Sequence, residues 1–345
     1  MDIGERKLKI LSIVVDDYVA TGEPVGSKRV CSVLENSVSS ATVRNDMAEL
    51  SALGLIEQPH TSAGRVPTQL GFRLYVDKLM QKKELTAKER DYIDSLLDEF
   101  ACEPDRFLAS ACELLASITG FAVLYTTPSD KLARIRHIEL VPTGARTVIL
   151  LMVTSVGVMR SRVCRLELDI NAETLLLFRR VLNEQLAGKV LMEITPAFIQ
   201  NVAVSLKELM LVISPLLLTA SELAKNSMET KLELRGAENL LAHPDIDFLQ
   251  ARALFSLVSS GDELANIMDT GKTSSKIFIG KESGRNEFEF LSLVVCSYRL
   301  GNMGAGSIGV IGPVRMDYAD ISAKVEYFAQ AAGKLIMRSL GEEDY

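Results

Sequence analysis

The chain has 345 residues, 48% of them apolar, and a formal net charge of −7 at pH 7. This length and apolar content allow a sizeable core and predict two or three domains. The longest apolar stretch, Leu209–Leu218, is interrupted by Ser214 and Pro215 and is too short to span a bilayer. Because the first ten residues also lack the features of a signal peptide, we expect a cytoplasmic protein without a membrane partner.

Cofactor and metal sites are not indicated. The five cysteines are scattered without a CxxC pair, and the three histidines lie far apart, so we expect buried apolar cysteines and no metal. Gly304, Gly306 and Gly309 match GxGxxG, but Pro313 follows where a dinucleotide site requires a helix, so a hairpin turn is favoured. No catalytic triad or nucleophile motif is present. We therefore predict no cofactor and no enzymatic activity.

The first 80 residues predict three helices at the start of the chain. Residues 5–20 place apolar side chains on one helical face. A short second helix over Gly26–Leu34 directs Val30, Val33 and Leu34 inward. A turn of three to four residues then leads to a third helix, which is the arrangement of a helix-turn-helix.

The third helix is predicted to start near Ser39, where hydroxyl groups are available for the N-cap. Val43, Met47 and Leu50 recur at i, i+4 and i+7 and therefore share one buried face. The opposite face is small and polar, with Arg44 at its margin. Its members are Ala41, Thr42, Asn45, Ala48 and Glu49. Such a face can approach another surface closely.

A short hairpin follows this helix. Leu55–Gln58 is an expected edge strand, Pro59–Gly64 is a loop of turn-forming residues, and Val66 and Pro67 form the returning strand. Thr68 begins a further helix, with Leu70 among its candidate packing residues. The order of helix, helix, helix, strand, loop and strand is that of a winged helix-turn-helix.

This arrangement suits duplex DNA, because the start of the third helix can enter the major groove, where Asn reads adenine and Arg reads guanine. Hydroxyl and N–H groups at a helix N-terminus suit phosphate oxygens, and the donors of the loop suit phosphate or the minor groove. The predicted DNA-binding residues are Ser39, Ser40, Thr42, Arg44, Asn45, His60, Thr61, Ser62 and Arg65. A helical bundle whose loop is only solvated is the alternative.

Local charge supports the loop as a phosphate contact. The first 80 residues carry nine Lys and Arg against ten Asp and Glu, so they offer no bulk attraction for DNA. From Gln58 to Lys82, however, the only acid is Asp77, against Arg65, Arg73, Lys78 and Lys82. We expect this focused positive potential to contact phosphate.

The remaining chain alternates between strand and helix patterns. A charged connection contains a predicted helix over Ala87–Phe100, and another helix follows over Asp105–Thr119. β-rich runs occupy residues 121–124, 135–141, 148–153 and 157–164, and again 277–279, 289–298 and 308–311. Residues 175–241 between them have helical patterns, and a final helix is expected over 318–339. Strands divided by a helical block indicate an α+β domain with a mainly helical insertion.

Two helices have strongly apolar faces. Met210–Leu218 is apolar all round, and because an insertion has little core of its own, we favour a dimer contact over deep burial. The final helix is either a dimer seam or a face packed on its own sheet, and the second is favoured. Its apolar positions are Ile321, Val325, Phe328, Ala332 and Leu335.

Four segments closely resemble the HrcA family of heat-inducible transcription repressors. They are TGEPVGSK at 21–28, SSATVRNDMAEL at 39–50, LGLIEQPHTSAGRVPT at 53–68 and GSIGVIGPVRMDY at 306–318. The resemblance implies a repressor of chaperone operons that binds the inverted-repeat CIRCE operator as a homodimer. It also implies dependence on the GroE chaperonin, and a winged helix, a GAF-like domain and a dimerising insertion.

The predicted fold class is α+β. Residues 1–80 form the winged helix-turn-helix domain, 81–104 a linker helix, 105–170 and 262–345 the GAF-like domain, and 171–261 the inserted dimerisation domain. Two other hypotheses stay open. The GAF-like domain could bind a small-molecule effector, or the chain could be an interaction protein that engages a chaperone through exposed apolar surface.

Overall fold

A computed structural model describes residues 3–34, 38–60, 63–100, 104–127, 133–155, 157–228, 230–271, 274–300 and 305–339. The helices are α1 (Glu5–Thr21), α2 (Ser27–Val33), α3 (Ser40–Ala52), α4 (Gln69–Lys78), α5 (Ala87–Phe100), α6 (Pro104–Thr119), α7 (Ala172–Leu186), α8 (Pro196–Ser205), α9 (Met210–Met228), α10 (Ala237–Ala242), α11 (Phe248–Ser260), α12 (Asp262–Met268) and α13 (Tyr318–Ser339). The strands are β1 (Ile56–Glu57), β2 (Val66–Pro67), β3 (Ala122–Thr126), β4 (Ile135–Gly144), β5 (Thr147–Thr154), β6 (Met159–Arg165), β7 (Leu232–Arg235), β8 (Lys276–Ile279), β9 (Leu291–Arg299) and β10 (Ala305–Pro313). The α+β class is confirmed.

Contacts divide the chain into two compact units. The first comprises Met1–Leu124, Glu233–Cys296 and Ile308–Ala329. The second comprises Tyr125–Leu232, Ser297–Ser307 and Gln330–Tyr345. No helix in the described part of either unit is both long and apolar enough to cross a membrane.

The first unit begins with the predicted winged helix. β1 pairs antiparallel with β2, with Ile56 opposite Pro67 and Glu57 opposite Val66. The sequence analysis did not foresee that Val25, between α1 and α2, forms a further bridge with Arg65. Helices α1 to α3 and this small sheet therefore match the predicted order and add a third extended segment to the wing.

Local signals placed the helix ends correctly. Gly22 ends α1 with φ of 74°, and its N–H donates to the Tyr18 carbonyl. Thr68 caps α4 by accepting a hydrogen bond from the Gly71 N–H. Two predicted packing residues were wrong, because Val33 is 45% exposed and Leu70 is 56% exposed. Both lie on short helices whose buried faces are too narrow to include every apolar residue.

The larger sheet has five strands in the order β7-β3-β10-β9-β8. β8 pairs antiparallel with β9, and the strands β9 and β10 are almost entirely buried. On α13, Ile321, Val325, Phe328 and Ala332 are buried within the single chain. These side chains are unavailable to a partner, which supports the packed-face interpretation of the final helix.

The glycines of the GxGxxG match lie inside a strand and not in the predicted hairpin turn. Gly306 and Gly309 belong to β10, and Gly304 lies outside the described residues. A Cβ on Gly306 would lie 2.4 Å from the Tyr298 hydroxyl, and one on Gly309 would lie 3.0 Å from Leu293 Cδ1. Close packing against neighbouring groups therefore accounts for these two glycines.

The second unit contains a separate three-stranded sheet, in which β4 pairs with β5 and β5 with β6, all antiparallel. The sequence analysis placed these strands with 262–345 in one GAF-like sheet, and the structure differs. Strand patterning predicts which residues are extended, but it does not state which strands pair. The strand β7 also lies within the stretch predicted as helical.

This sheet shares a core with helices of the predicted insertion. α7 contacts β4, and α9 contacts β5 and β6. Ile138, Leu150, Leu182 and Leu216 are fully buried members of one hydrophobic cluster. The expectation that the insertion has little core of its own was therefore wrong, because residues 133–228 bury one together.

Candidate DNA-binding interface

Helix α3 buries the predicted stripe and exposes the predicted reading face. Val43, Met47 and Leu50 are buried, as the helical period requires. Arg44 and Asn45 are exposed, and the neighbouring Ala41, Ala48 and Glu49 are exposed as well. Of the three predicted base-reading residues, only Thr42 is partly buried. The polar face of α3 is therefore open over about three turns.

The partial burial of Thr42 follows from the N-cap of α3. Ser39 is the N-cap residue, and its Oγ accepts a hydrogen bond of 3.2 Å from the Thr42 N–H. The Ser39 and Thr42 hydroxyls are also 2.9 Å apart. Ser39 therefore fixes where α3 begins, and its hydroxyl is already engaged in the cap.

A cluster at the starts of α2 and α3 joins two predicted residues to one that sequence reasoning missed. Ser27 Oγ lies 3.3 Å from Ser40 Oγ and accepts a 3.3 Å hydrogen bond from Arg44 Nε. Lys28 is exposed beside it. The missed signal was Gly26 followed by Ser27, since a helix N-terminus with a hydroxyl group suits an anion.

The wing is held by backbone contacts. The Val25 N–H donates to the Arg65 carbonyl, and the Arg65 N–H donates to the Val25 carbonyl, each at 2.9 Å. His60 is exposed, Arg65 is partly buried, and Thr61 and Ser62 lie outside the described residues. At Gly64 a Cβ would lie 2.5 Å from the Val25 carbonyl. The close approach at Gly64 is therefore to the protein's own backbone.

The positive potential near the wing rests on fewer cations than composition suggested. Arg73 was counted among them, but its guanidinium binds Glu282 at 2.6 Å and Asp77 at 2.9 Å. Arg65 and Arg44 are in no ion pair among the described residues. Phosphate attraction at this surface therefore depends on Arg65, Arg44 and Lys28.

A buried ion pair sets the orientation of α3. Asp46 is only 3% exposed, and it accepts hydrogen bonds from Arg6 Nε at 2.7 Å and Arg6 Nη2 at 3.0 Å. The side-chain hydrogen bond to Asp46 raises the pKa of Arg6. This two-point contact joins α1 to α3. Sequence analysis missed it, although an acid between Val43 and Met47 on an otherwise apolar face was the available signal.

Comparison with known proteins decides the family. A profile of the HrcA protein C-terminal domain matches residues 105–321. The heat-inducible transcription repressor HrcA of Acetivibrio thermocellus is 30% identical over 347 residues, covering 99% of each chain. The chain belongs to the HrcA family. The HrcA of Clostridium botulinum is 32% identical over 324 residues, covering 93% of this chain and 94% of the relative.

A solved structure described as a hypothetical protein shares the fold. It has a TM-score of 0.66 and 26% identity, and the alignment covers 98% of this chain and 100% of that chain. The sequence-based resemblance to HrcA is thus confirmed. The HrcA relatives are named transcription repressors, which indicates a DNA-binding regulator. The surface formed by α2, α3 and the wing is the part of this HrcA chain whose geometry suits DNA.

We predict that Arg6→Ala lowers the urea midpoint of unfolding more than Asp46→Asn does. In Arg6→Ala the buried carboxylate of Asp46 loses both donors, whereas in Asp46→Asn the exposed guanidinium regains water. Arg29→Ala is the control, because its bidentate pair with Asp17 is more exposed. Equal midpoints for all three variants would show that burial of Asp46 has no energetic consequence.

Proposed function

We propose that this chain is a repressor of chaperone operons that binds the inverted-repeat CIRCE operator as a homodimer and blocks transcription in the cytoplasm. The observation that carries the proposal is the exposed face of α3 beside the wing, in a chain that belongs to a family of transcription repressors. Occlusion of the promoter by the bound dimer accounts for repression without any catalytic step.

The exposed residues divide into two roles. Arg44 and Asn45 project from the first turns of α3, where side chains reach base edges in the major groove. Ser40, Ser27 and Arg65 lie at helix starts and on the wing, where they suit phosphate oxygens. Base discrimination therefore depends on Arg44 and Asn45, and sequence-independent affinity depends on the other three.

Low net charge makes a dimer necessary for tight binding. The first 80 residues have nearly equal numbers of acids and bases, so one winged helix gains little from bulk electrostatics. Two copies related by a two-fold axis double the contacts and require an inverted repeat.

We predict that Asn45→Ala costs about 1–3 kcal/mol of operator binding and relaxes discrimination at particular bases. Arg65→Ala weakens all sequences nearly equally and reduces the salt slope by about one unit. Competition gel shifts with operator variants at several salt concentrations measure both effects. Arg90→Ala, on α5, is the control and should match wild type. Unchanged base discrimination in Asn45→Ala would reject this assignment of the reading face.

For the dimer we propose the unit formed by residues 133–228, which begins earlier in the chain than the boundary at 171. Support comes from apolar side chains that its own core leaves uncovered. Leu211 is 78% exposed and Leu218 is 60% exposed, and both lie two turns apart on one side of α9. An exposed apolar surface of this kind is typical of a protein interface.

We predict that Leu211→Glu combined with Leu218→Glu shifts the protein toward monomer in analytical ultracentrifugation, because charged groups would be desolvated in the contact. Operator affinity should fall with it. Leu70→Glu is the matched control, since Leu70 is equally exposed but lies on α4. A dimer that persists unchanged in the double variant would exclude this surface of α9.

We also propose that the GroE chaperonin maintains the operator-binding state, as the family resemblance implies. Exposed apolar side chains such as Leu211, Leu218 and Phe248 offer the kind of surface that a chaperonin captures. Operator binding should decline after dilution and return on addition of chaperonin with ATP, whereas serum albumin should have no effect. Binding that is stable after dilution, or restored equally by albumin, would contradict this dependence.

A further inference from the structure

Helix α4 is attached on its outer side to the edge of the five-stranded sheet within the first unit. Arg73 Nε donates to Glu282 Oε1 at 2.8 Å, and Arg73 Nη2 donates to Glu282 Oε2 at 2.6 Å and to the Ile277 carbonyl at 2.7 Å. Gln69 Nε2 donates to the Glu289 carbonyl at 2.6 Å. One face of α4 thus makes four hydrogen bonds to residues that follow it by more than 200 positions.

The backbone after β8 is adapted to this attachment. Gly280 has a φ of 58°, which favours glycine, and a Cβ there would lie 2.3 Å from the side chain of Gln69. The turn at residues 280–283 therefore approaches α4 closely. Glu282 is held in place as well, because its Oε2 accepts a hydrogen bond from the Ile279 N–H at 2.9 Å.

A second attachment lies at the end of α1. Arg315 donates to the Val19 carbonyl at 3.2 Å, and its Nε is paired with Asp245 at 2.7 Å. The guanidinium lies 5.9 Å from the centre of the Tyr18 ring. A cation at the last carbonyl groups of a helix also complements the helix dipole. Arg73 and Arg315 thus fix the winged helix at two separate points.

Between these points the junction is incompletely packed. Phe72 meets Tyr318 edge-on at 6.0 Å, but a cavity of about 710 Å³ lies beside them, lined in part by Asp16, Tyr75 and Met316. The covalent connection is loose, because residues 79–86 contain no helix or strand. The discrete contacts of Arg73 and Arg315 therefore carry much of the orientation that a continuous core would otherwise provide.

We propose that Arg73 is a positioning residue that fixes the distance between operator half-sites accepted by the dimer. The inference rests on the proposed binding of an inverted repeat. Each added base pair moves one half-site by about 3.4 Å and rotates it by about 34° around the duplex, so a rigidly attached winged helix accepts one spacing. When the two-point contact with Glu282 is lost, the connection at 79–86 lets α3 follow a half-site that has moved.

The test uses DNA with fixed half-sites and a spacer that varies in steps of one base pair. Wild type should prefer one spacer over its neighbours by about tenfold, and Arg73→Ala should reduce that preference to about twofold with unchanged base preference inside each half-site. Arg73→Lys, which keeps the charge but loses the planar fork, should fall between them. A sharp wild-type preference in Arg73→Ala would overturn the proposal, even if affinity fell.

Controls separate positioning from folding. Arg90→Ala alters an exposed pair with Glu84 in the same unit and should keep the wild-type spacer preference. If Arg73→Ala does not fold, as judged by thermal unfolding, Gln69→Ala removes a neighbouring contact and should broaden the preference in the same direction. An unchanged preference in both Arg73→Lys and Gln69→Ala would also reject the inference.

A measurement without DNA distinguishes this inference from the proposed function. Nitroxide labels at His60→Cys and Asn286→Cys, in a Cys102→Ser background diluted with unlabelled protein, report the distance across the junction. Wild type should give a narrow distance distribution, and Arg73→Ala a broad one. If wild type selects no inverted repeat, the proposed function fails. Narrow distributions in both proteins would instead reject the role of Arg73.

Discussion

The placement of α3 on α1 is the constraint on which the candidate interface depends. The apolar stripe of α3 is buried by the period of the helix, but an apolar stripe alone permits some rotation and sliding. The bidentate contact between Arg6 and buried Asp46 removes that freedom, since both hydrogen bonds form in only one register. The side chains of Arg44 and Asn45 therefore point outward with a defined orientation.

Backbone close approaches extend this order from α3 through the wing to α4. Gly64 allows the wing to touch Val25, and a Cβ on Gly71 would lie 2.0 Å from the Leu55 carbonyl, so α4 lies directly against the chain that leaves α3. The other side of α4 carries Arg73. A single short helix thus contacts the DNA-reading part of the fold on one side and the sheet edge on the other, and this continuity underlies the proposed control of half-site spacing.

The second unit shows how an inserted segment can be stable and still expose apolar surface. The sheet β4-β5-β6 and the helices α7 and α9 bury one another, so the unit has a core of its own. Because α9 is apolar on more than one side, burying Leu216 and Leu217 leaves Leu211 and Leu218 in solvent. Folding and association can therefore use different faces of the same helix.

Sequence alone determined the helices and the reading face, because capping, helical period and glycine termini act over a few residues. The bounds of α5 and α13, the N-cap at Ser39 and the exposure of Arg44 and Asn45 followed from such local rules. The family also followed from sequence, since four long motifs are far more specific than a fold pattern.

Tertiary structure alone decided which distant residues meet. The separate sheet of β4 to β6, the pairing of Asp46 with Arg6, the bridge from Val25 to Arg65 and the contact of Arg73 with Glu282 all join residues well apart in the chain. A single sequence states that a strand or a charge is present but not its partner, because pairing is settled by the packing of the whole fold.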